Sequence, residues 1–358
     1  MTRQRRAPRL QQRSWLHRGV QAAALGVLVL GVLAVVPLQR SRLAAGDGPA
    51  VGDVRTWGYQ LQRARPGEIG RDVDLVVIDY SADGTGPRAF SREDVARFRR
   101  RDGHAAPAAA NPHDTAKPRL VLAYMSVGEA ESYRYYWSPF WSAAVPSWLG
   151  PENKDWKRNF AVRFWEPGWQ QVIVNARPSA LQRLTEFHLH WTKPYLDRII
   201  EAGFDGVYLD RVDAFEAWTG ERAGAERDMV DFVKTISAYA KARRPGFLVV
   251  PQNGEELLVH SDYVGAIDAV AKEDLLYGLG GDEVRNSDED VTSTVSFLSR
   301  ARAAGLPVLA VEYLRDAEQR FEADVRLREL GFVPLFASRQ LNLPPPAAAS
   351  NAAMPGMR

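Results

Sequence analysis

The sequence predicts an α/β fold, a (β/α)8 TIM barrel with a long aromatic-rich insertion after the third strand. Eight short apolar runs alternate with longer stretches of helical periodicity along residues 54–340. The runs at 75–78 and 248–250 contain only apolar side chains, as is typical of parallel strands covered on both faces. A doubly wound sheet is the alternative fold, but the dinucleotide fingerprint is missing after the first strand and no G-x-x-x-x-G-K-[ST] motif occurs.

Each predicted element follows from its own pattern. Apolar runs bounded by Gly, Pro or Asp predict strands at 56–61, 74–79, 120–125, 206–210, 247–252, 266–271, 307–311 and 332–336. Helical periodicity predicts helices at 92–101, 180–202, 222–243, 291–304 and 317–330. Gly203, Gly305 and Gly331 each follow a predicted helix and precede a predicted strand, where a left-handed C-terminal cap favours glycine.

The insertion lies between the third and fourth predicted strands. It is about 80 residues long, against the roughly 30 residues of a whole βαβ unit. It holds six of the ten tryptophans, namely Trp137, Trp141, Trp148, Trp156, Trp165 and Trp169. Because loops at the carboxyl ends of barrel strands build substrate sites, we expect part of the insertion to line a cleft. At least half of its aromatic side chains are expected to form a packed core instead.

The charge of the chain is unevenly distributed. The net charge is +2, but residues 1–45 contain eight arginines, no lysine and no acid, so the remainder has 38 basic and 44 acidic side chains, a net charge of −6. An acidic body argues against nucleic acid as a partner. The absence of cysteine excludes disulfides, thiolate metal sites and cysteine nucleophiles.

The two ends of the sequence have compositions unlike the body at 54–340. Residues 1–45 combine arginines with an uncharged run at 22–38, which predicts a signal peptide or a signal-anchor. We therefore expect the protein to be secreted or membrane-anchored with its body outside the cytoplasm, and membrane contact to involve this segment alone. The Pro- and Ala-rich stretch at 341–358 predicts a disordered tail.

Polar side chains follow six consecutive predicted strands, from the second to the seventh. They are Asp79, Tyr80, Tyr124, Glu129, Tyr208, Asp210, Asp213, Asn253, Glu273, Glu312 and Tyr313. The carboxyl ends of barrel strands face one side, so we expect these side chains to lie in a common region. Hydrolysis of a glycosidic bond needs one carboxylate and one carboxylic acid. Tyrosine and tryptophan add flat faces on which sugar rings pack.

Other chemistries have less support in the sequence. None of the six histidines lies directly at a strand end, so neither a histidine-based triad nor a histidine zinc site is favoured. We expect no cofactor and no metal. The acidic stretch at 282–290 lacks the spacing of an EF-hand and is predicted to be a solvated turn.

Three stretches, at 123–131, 164–169 and 203–213, resemble glycoside hydrolase family 114. They read AYMSVGEAE, FWEPGW and GFDGVYLDRVD, and the strand ends VPQNG and VEY are also similar to that family. The resemblance implies a barrel-shaped, endo-α-1,4-polygalactosaminidase-like hydrolase that acts on galactosamine-containing exopolysaccharide. We expect a two-carboxylate, retaining mechanism, with inversion as the alternative. The resemblance implies that Asp210 is the nucleophile and Glu273 the general acid/base. Because the stretch before Glu273, AVAK, departs from the family pattern, Glu312 is the alternative acid.

The remaining strand-end side chains are expected to bind the substrate around the cleaved bond. These are Asp79, Tyr80, Tyr124, Glu129, Tyr208, Asp213, Asn253, Glu312 and Tyr313. An acidic body suits a cationic, deacetylated galactosamine polymer. The alternatives are a non-catalytic carbohydrate-binding or biofilm-matrix protein on the same scaffold, and a hydrolase of a different exopolysaccharide.

Overall fold

The computed structural model describes residues 50–101, 117–174 and 193–342. The predicted signal or anchor segment at 1–45 lies outside the described residues, as do nearly all of the predicted tail and most of the predicted helix at 180–202. Among the described residues, no helix has both the length and the apolar composition needed to cross a membrane.

The barrel strands are β1 Trp57–Gln60, β2 Leu75–Ile78, β3 Leu120–Ser126, β7 Gly206–Asp210, β8 Leu248–Pro251, β9 Val270–Glu273, β10 Val308–Glu312 and β11 Val333–Phe336. Strands β4 to β6 belong to the insertion and are described with it below. Within the described residues, these eight parallel strands form two sheets. The first sheet has the order β1, β2, β3, β7, β8, and the second has the order β9, β10, β11. A parallel bridge between Gln252 and Ala271 links β8 to β9, and the indole of Trp57 in β1 donates to the carbonyl of Val333 in β11 at 3.0 Å.

Helices connect most of these strands on the outside. They are α1 Arg92–Arg99, α2 Pro167–Ile173, α3 Tyr195–Ala202, α4 Phe215–Trp218, α5 Ala225–Arg243, α6 Ser261–Ala266, α7 Asp288–Ala303 and α8 Ala317–Glu329. The predicted glycine caps are confirmed, because Gly203, Gly305 and Gly331 all have φ between +72° and +89°. Helix α7 begins earlier than predicted: Ser287 caps it, and the acidic residues 288–290 form its first turn, where the helix dipole favours negative charge.

Side chains alternate between two apolar layers along each strand. In β2, Leu75 and Val77 face the interior, whereas Val76 and Ile78 face the helices. All eight parallel strands contribute to the interior cluster, which is the arrangement of a (β/α)8 barrel. The predicted fold class is confirmed. One strand is displaced from its prediction: β9 starts at Val270 because α6 occupies 261–266.

The insertion after β3 builds a small core of its own. Strands β4 Glu129–Glu131, β5 Leu149–Glu152 and β6 Asn159–Val162 form an antiparallel sheet in the order β4, β6, β5. Trp148 packs between Trp141 and Trp169, and its ring centroid lies 4.9 Å from that of Trp141 and 5.1 Å from that of Trp169. Of the six tryptophans, Trp156 alone is largely exposed, at 62 %. Most of the aromatic side chains therefore stabilise the insertion rather than line a cleft.

Candidate active site

Asp210 and Glu273 end two strands of the barrel and face its interior. Asp210 lies two residues after Tyr208, and Glu273 lies two residues after Ala271, both of which belong to the interior cluster. Because side chains alternate along a strand, the two carboxyls share that inward direction. Strand β8 runs between them, so their backbones are roughly 10 Å apart at the usual strand spacing. Both side chains are half-buried, which leaves them open to solvent at one end.

Asp210 accepts hydrogen bonds from three donors. The hydroxyl of Tyr124 donates to Oδ2 at 2.5 Å. The backbone N–H of Arg211 donates to Oδ1 at 2.8 Å, and the amide of Gln252 donates to the same oxygen at 3.3 Å. Donors on both oxygens favour the ionised form of a carboxyl group. Gln252 was not predicted as a site residue, although its position at the end of β8 and its inward parity identify it.

Glu273 has a different set of partners. The amide of Asn253 donates to Oε1 at 3.0 Å, and the hydroxyl of Tyr313 donates to Oε2 at 2.9 Å. The N–H of Glu273 also donates to the carbonyl oxygen of the Asn253 side chain at 3.3 Å. The predicted residues Asn253 and Tyr313 therefore contact one of the two proposed catalytic carboxyls directly.

Both carboxyl groups hold protons more tightly than free side chains do. Burial raises the pKa of Asp210 to about 7, with the nearby Glu273 carboxyl as the second cause, while the hydrogen bond from Tyr124 opposes the shift. Burial also raises the pKa of Glu273, followed by the charge of Asp274. Interacting carboxyls lose their protons in two separate steps, so the pair retains a proton at a pH where isolated acids are fully ionised.

The backbone turns sharply after each of three neighbouring strands. Arg211, Asn253 and Asp274 have φ of +63°, +60° and +54°, in the left-handed region that non-glycine residues rarely occupy. Arg211 follows Asp210 and Asp274 follows Glu273, so the strained residues adjoin both carboxyls. Backbone strain of this kind clusters at functional sites. At Arg211 it directs the N–H back onto the preceding carboxylate.

Two tyrosines form the floor beneath the carboxyls. The rings of Tyr59 and Tyr208 pack with centroids 5.0 Å apart, and both side chains are buried. Among the described residues the hydroxyl of Tyr208 has no hydrogen-bond partner. Burial raises the pKa of Tyr208, and the charges of Glu273 and Asp210 raise it further, which places this ring close to both. Tyr59 was missed by sequence analysis, which considered only strand ends; the alternation of Trp57 and Tyr59 in β1 is the signal that finds it.

Asp79 lies in a buried ion cluster rather than in an open site. Nη1 of Arg134 contacts both of its carboxyl oxygens, at 2.8 and 2.7 Å, while Nε of Arg134 contacts Glu131 at 2.6 Å. The side chain of Arg134 is 1 % exposed. Burial raises the pKa of Asp79 to about 6, and the arginine charge opposes this shift. Arg134 was missed because it lies in an irregular segment with no periodicity.

Glu129 and Asp213 meet around the guanidinium of Arg211. Nε of Arg211 is 3.3 Å from Glu129, and its Nη1 is 3.6 Å from Asp213. Glu129 also accepts hydrogen bonds from Asn153 at 2.8 Å and Asn159 at 3.2 Å, which tie it to the insertion. Since Arg211 follows Asp210 directly, these two predicted acids lie next to the proposed nucleophile.

Tyr80 and Glu312 are predicted site residues that the structure does not place with the others. Each is one position away from an inward-facing residue, so each points toward the helices. The ring of Tyr80 packs on Tyr195 at 4.9 Å. Glu312 is fully buried and accepts hydrogen bonds from the N–H groups of Leu276 and Tyr277 at 2.8 and 3.3 Å. Burial raises the pKa of Glu312 to about 8, but its position prevents it from substituting for Glu273.

Comparison with known families gives one extended match. The model of a family described as glycoside-hydrolase family GH114 matches residues 38–352. That range includes all eight barrel strands, the insertion and every residue of the site described above.

Comparisons with individual proteins give distant relatives. An uncharacterised protein of Methanocaldococcus jannaschii is 32 % identical over 302 residues, covering 80 % of this chain and 76 % of the relative. An uncharacterised protein of Thermotoga maritima is also 32 % identical, over 80 % of this chain and 81 % of the relative. The glycoside hydrolase domain of PelA from Pseudomonas aeruginosa superimposes with a TM-score of 0.57 at 19 % identity, covering 82 % of this chain and 98 % of that domain, which supports the fold.

Proposed function

Because the chain belongs to glycoside-hydrolase family GH114 and is therefore a glycoside hydrolase, we propose that it cleaves α-1,4-linked galactosamine-containing exopolysaccharide with Asp210 and Glu273 as its catalytic pair. The observation that carries this proposal is the pair itself. Two inward-facing, half-buried carboxyls end strands on either side of β8 and have different hydrogen-bond partners. Glycosidases need two carboxyl groups that differ in proton affinity.

The hydrogen bonds support assigning separate roles to the two groups. Burial raises the pKa of Asp210 to about 7, and its three hydrogen-bond donors oppose that shift by stabilising the carboxylate that a nucleophile needs. Burial and then the negative charge of Asp274 raise the pKa of Glu273, which favours retention of its proton, whereas its two hydrogen-bond donors oppose the shift. A general acid must carry that proton before the reaction starts.

In the proposed retaining mechanism, Asp210 forms a bond to the anomeric carbon as the glycosidic C–O bond breaks. Glu273 gives its proton to the departing oxygen. Glu273 then takes a proton from a water molecule, and the resulting hydroxide displaces Asp210 from the sugar. At the end of the cycle Asp210 is again a free carboxylate and Glu273 is again protonated.

The charges at the rim of the site favour a cationic sugar polymer as the substrate. Glu129 and Asp213 add two carboxylates beside Asp210, with Arg211 as the nearest opposing charge. Deeper in the site, the hydroxyl of Tyr208 and Oε1 of Gln252 are buried and lack hydrogen-bond partners among the described residues. They are suited to bind a sugar hydroxyl or the attacking water. Acidic rims attract amino sugars that carry a positive charge at neutral pH.

The test is cleavage of partly deacetylated α-1,4-galactosaminan by the protein and by Asp210→Asn and Glu273→Gln. Each substitution should lower the rate of reducing-end production by a factor on the order of a thousand or more, since each removes a group needed for one chemical step. Undiminished activity in either variant would remove that residue from the mechanism.

Substrate identity is tested with a panel of neutral, acidic and amino-sugar polysaccharides at low and high salt. We expect the amino-sugar polymer to be cut fastest, and its cleavage to slow as salt screens the acidic rim. Faster cleavage of another polymer would select a different exopolysaccharide. Polymer binding without any reducing-end production would select the non-catalytic alternative.

A further inference from the structure

The segment that follows Glu273, residues 274–277, is fixed by side chains from three other parts of the chain. The amide of Asn286 donates to two of its carbonyls, each at 2.8 Å. Glu312 accepts hydrogen bonds from two of its N–H groups. Arg339, from the segment after β11, binds the side chain of Asp274. Asn286 and Glu312 are buried, and burial of their polar groups costs desolvation free energy. Their hydrogen bonds offset this cost only while the segment keeps its fixed geometry.

Arg339 contacts two residues that adjoin Glu273, namely Asp274 and Tyr313, and it does so through different interactions. Its two terminal nitrogens donate to the two carboxyl oxygens of Asp274 at 3.0 and 2.9 Å, a bidentate pair. Its guanidinium carbon lies 4.4 Å from the ring centroid of Tyr313, in a cation–π contact. Its Nε is 3.1 Å from Asp282, which lies at the surface.

These contacts connect Arg339 to the proposed acid at two points. Tyr313 donates its hydroxyl hydrogen to Glu273 at 2.9 Å. Asp274 follows Glu273 directly and holds a left-handed backbone, with φ of +54°. Fixing Asp274 and Tyr313 therefore fixes the surroundings of Glu273 without any direct contact from the arginine.

We propose that Arg339 and Asp274 form a positioning pair that holds Tyr313 against Glu273 and sets the charge beside that carboxyl. The proposal deepens the proposed function and rests on it, since the role of Glu273 comes from there. It assigns a function to the segment after β11, which supplies no group to the reacting bond.

The charge balance around Glu273 gives the expected direction of the effect. Burial raises the pKa of Glu273 most and the charge of Asp274 raises it further, whereas the hydrogen bonds from Tyr313 and Asn253 and the charge of Lys272 lower it. Arg339 opposes the charge of Asp274 at bidentate distance, so its removal leaves that negative charge uncompensated. The other ionisable groups that face Glu273 from the packed strands are Asp210, Tyr208 and Tyr59.

The experiment compares the pH profiles of kcat/KM for Arg339→Gln, Asp274→Asn and the double variant, all in the full chain. Arg339→Gln should move the alkaline limb upward by about half to one pH unit, because the pKa of Glu273 rises. Asp274→Asn should move it downward by a similar amount, and asparagine tolerates the left-handed backbone. The double variant restores the balance and should lie near the unsubstituted protein.

Two further variants separate charge from fold. Arg339→Lys keeps the charge but loses the bidentate fork, so the limb should stay in place while kcat falls. Arg315→Gln is the matched control, because the exposed Arg315 forms an ion pair with Glu283 in the same region. It should change neither the limb nor kcat. Single variants that move the limb in the same direction, or an equal shift in the control, overturn the proposal.

A readout without substrate keeps the two proposals apart. The Glu273 carboxyl is titrated by 13C NMR in glutamate-labelled full-length protein, with its signal assigned by its loss in Glu273→Gln. Opposite shifts of this titration in Arg339→Gln and Asp274→Asn support the positioning pair even if no polysaccharide is cleaved. Absence of cleavage with these shifts overturns the proposed function alone, and identical titration curves overturn the positioning pair.

Discussion

Asp210 and Glu273 occupy equivalent positions at the ends of two strands, yet their surroundings differ. Asp210 is held by a tyrosine, a backbone N–H and an amide, and the cation of Arg211 lies beside it. Glu273 is held by one amide and one tyrosine, and its adjoining charge is the anion of Asp274. The barrel provides two similar positions, and the residues just after each strand make them chemically unequal.

The difference also extends to what stands behind each group. Behind Tyr124 lies Arg134, whose guanidinium carbon is 6.0 Å from the tyrosine ring centroid. Its guanidinium forms ion pairs with the buried carboxyls of Asp79 and Glu131. Behind Tyr313 lies Arg339, which is paired with a single acid at bidentate distance. Each of the two proposed catalytic carboxyls thus accepts a hydrogen bond from a tyrosine whose ring is in contact with an arginine. Substitutions of the tyrosines test whether the two halves have separate roles.

Among the side chains that donate hydrogen bonds to the two carboxyls, the largest effect is expected for Tyr124→Phe. It removes the 2.5 Å hydrogen bond to Asp210, and a hydrogen bond to a charged group contributes about 1.5–3 kcal/mol, so kcat/KM should fall roughly tenfold to a hundredfold. The lost hydrogen bond had lowered the pKa of Asp210, so that pKa rises. A nucleophile must be ionised, and the acidic limb of the pH profile should therefore move to higher pH. Steady-state kinetics across pH measure both quantities.

Tyr313→Phe should have a smaller effect, on the other limb. Its hydroxyl donates to Glu273 at 2.9 Å, and a bond to a protonated acid contributes about 1 kcal/mol, or roughly fivefold in kcat/KM. The lost hydrogen bond had lowered the pKa of Glu273, so the alkaline limb should move to higher pH. If both tyrosine variants moved the same limb, the division of roles between Asp210 and Glu273 would fail.

Much of this site was predictable from sequence because each strand carries a strong apolar signal and the chemistry follows the strand ends. Parity along the strand was not used, and that accounts for the misplaced residues. Tyr80 and Glu312 lie one residue from inward-facing positions, and a shift of one residue moves a side chain to the opposite face. Counting in steps of two from the inward-facing residues Val77 and Val311 reaches Asp79 and Tyr313. The same count places Tyr80 and Glu312 on the opposite face.

Residues outside regular elements were beyond the reach of periodicity. Arg134 and Arg339 are polar side chains in irregular segments, and nothing in their local sequence distinguishes them from surface arginines. Each has a partner in a distant part of the chain: Asp79 is 55 positions away from Arg134, and Asp274 is 65 positions away from Arg339. Only the folded chain brings them together.

Among the substituted donors, the smallest effect is expected for Gln252→Met, which tests the third donor to Asp210. Its amide is 3.3 Å from the carboxylate, a long hydrogen bond, and its Oε1 is buried without a partner among the described residues. Removing the donor should lower kcat/KM about threefold, whereas removing an unsatisfied buried carbonyl should leave the free energy of unfolding unchanged or raise it by about 1 kcal/mol. Kinetics and urea denaturation measure the two effects separately. A loss of stability together with unchanged kinetics would show that Gln252 supports the β8 terminus rather than Asp210, and the Asp210 side would then rest on Tyr124 and the Arg211 backbone alone.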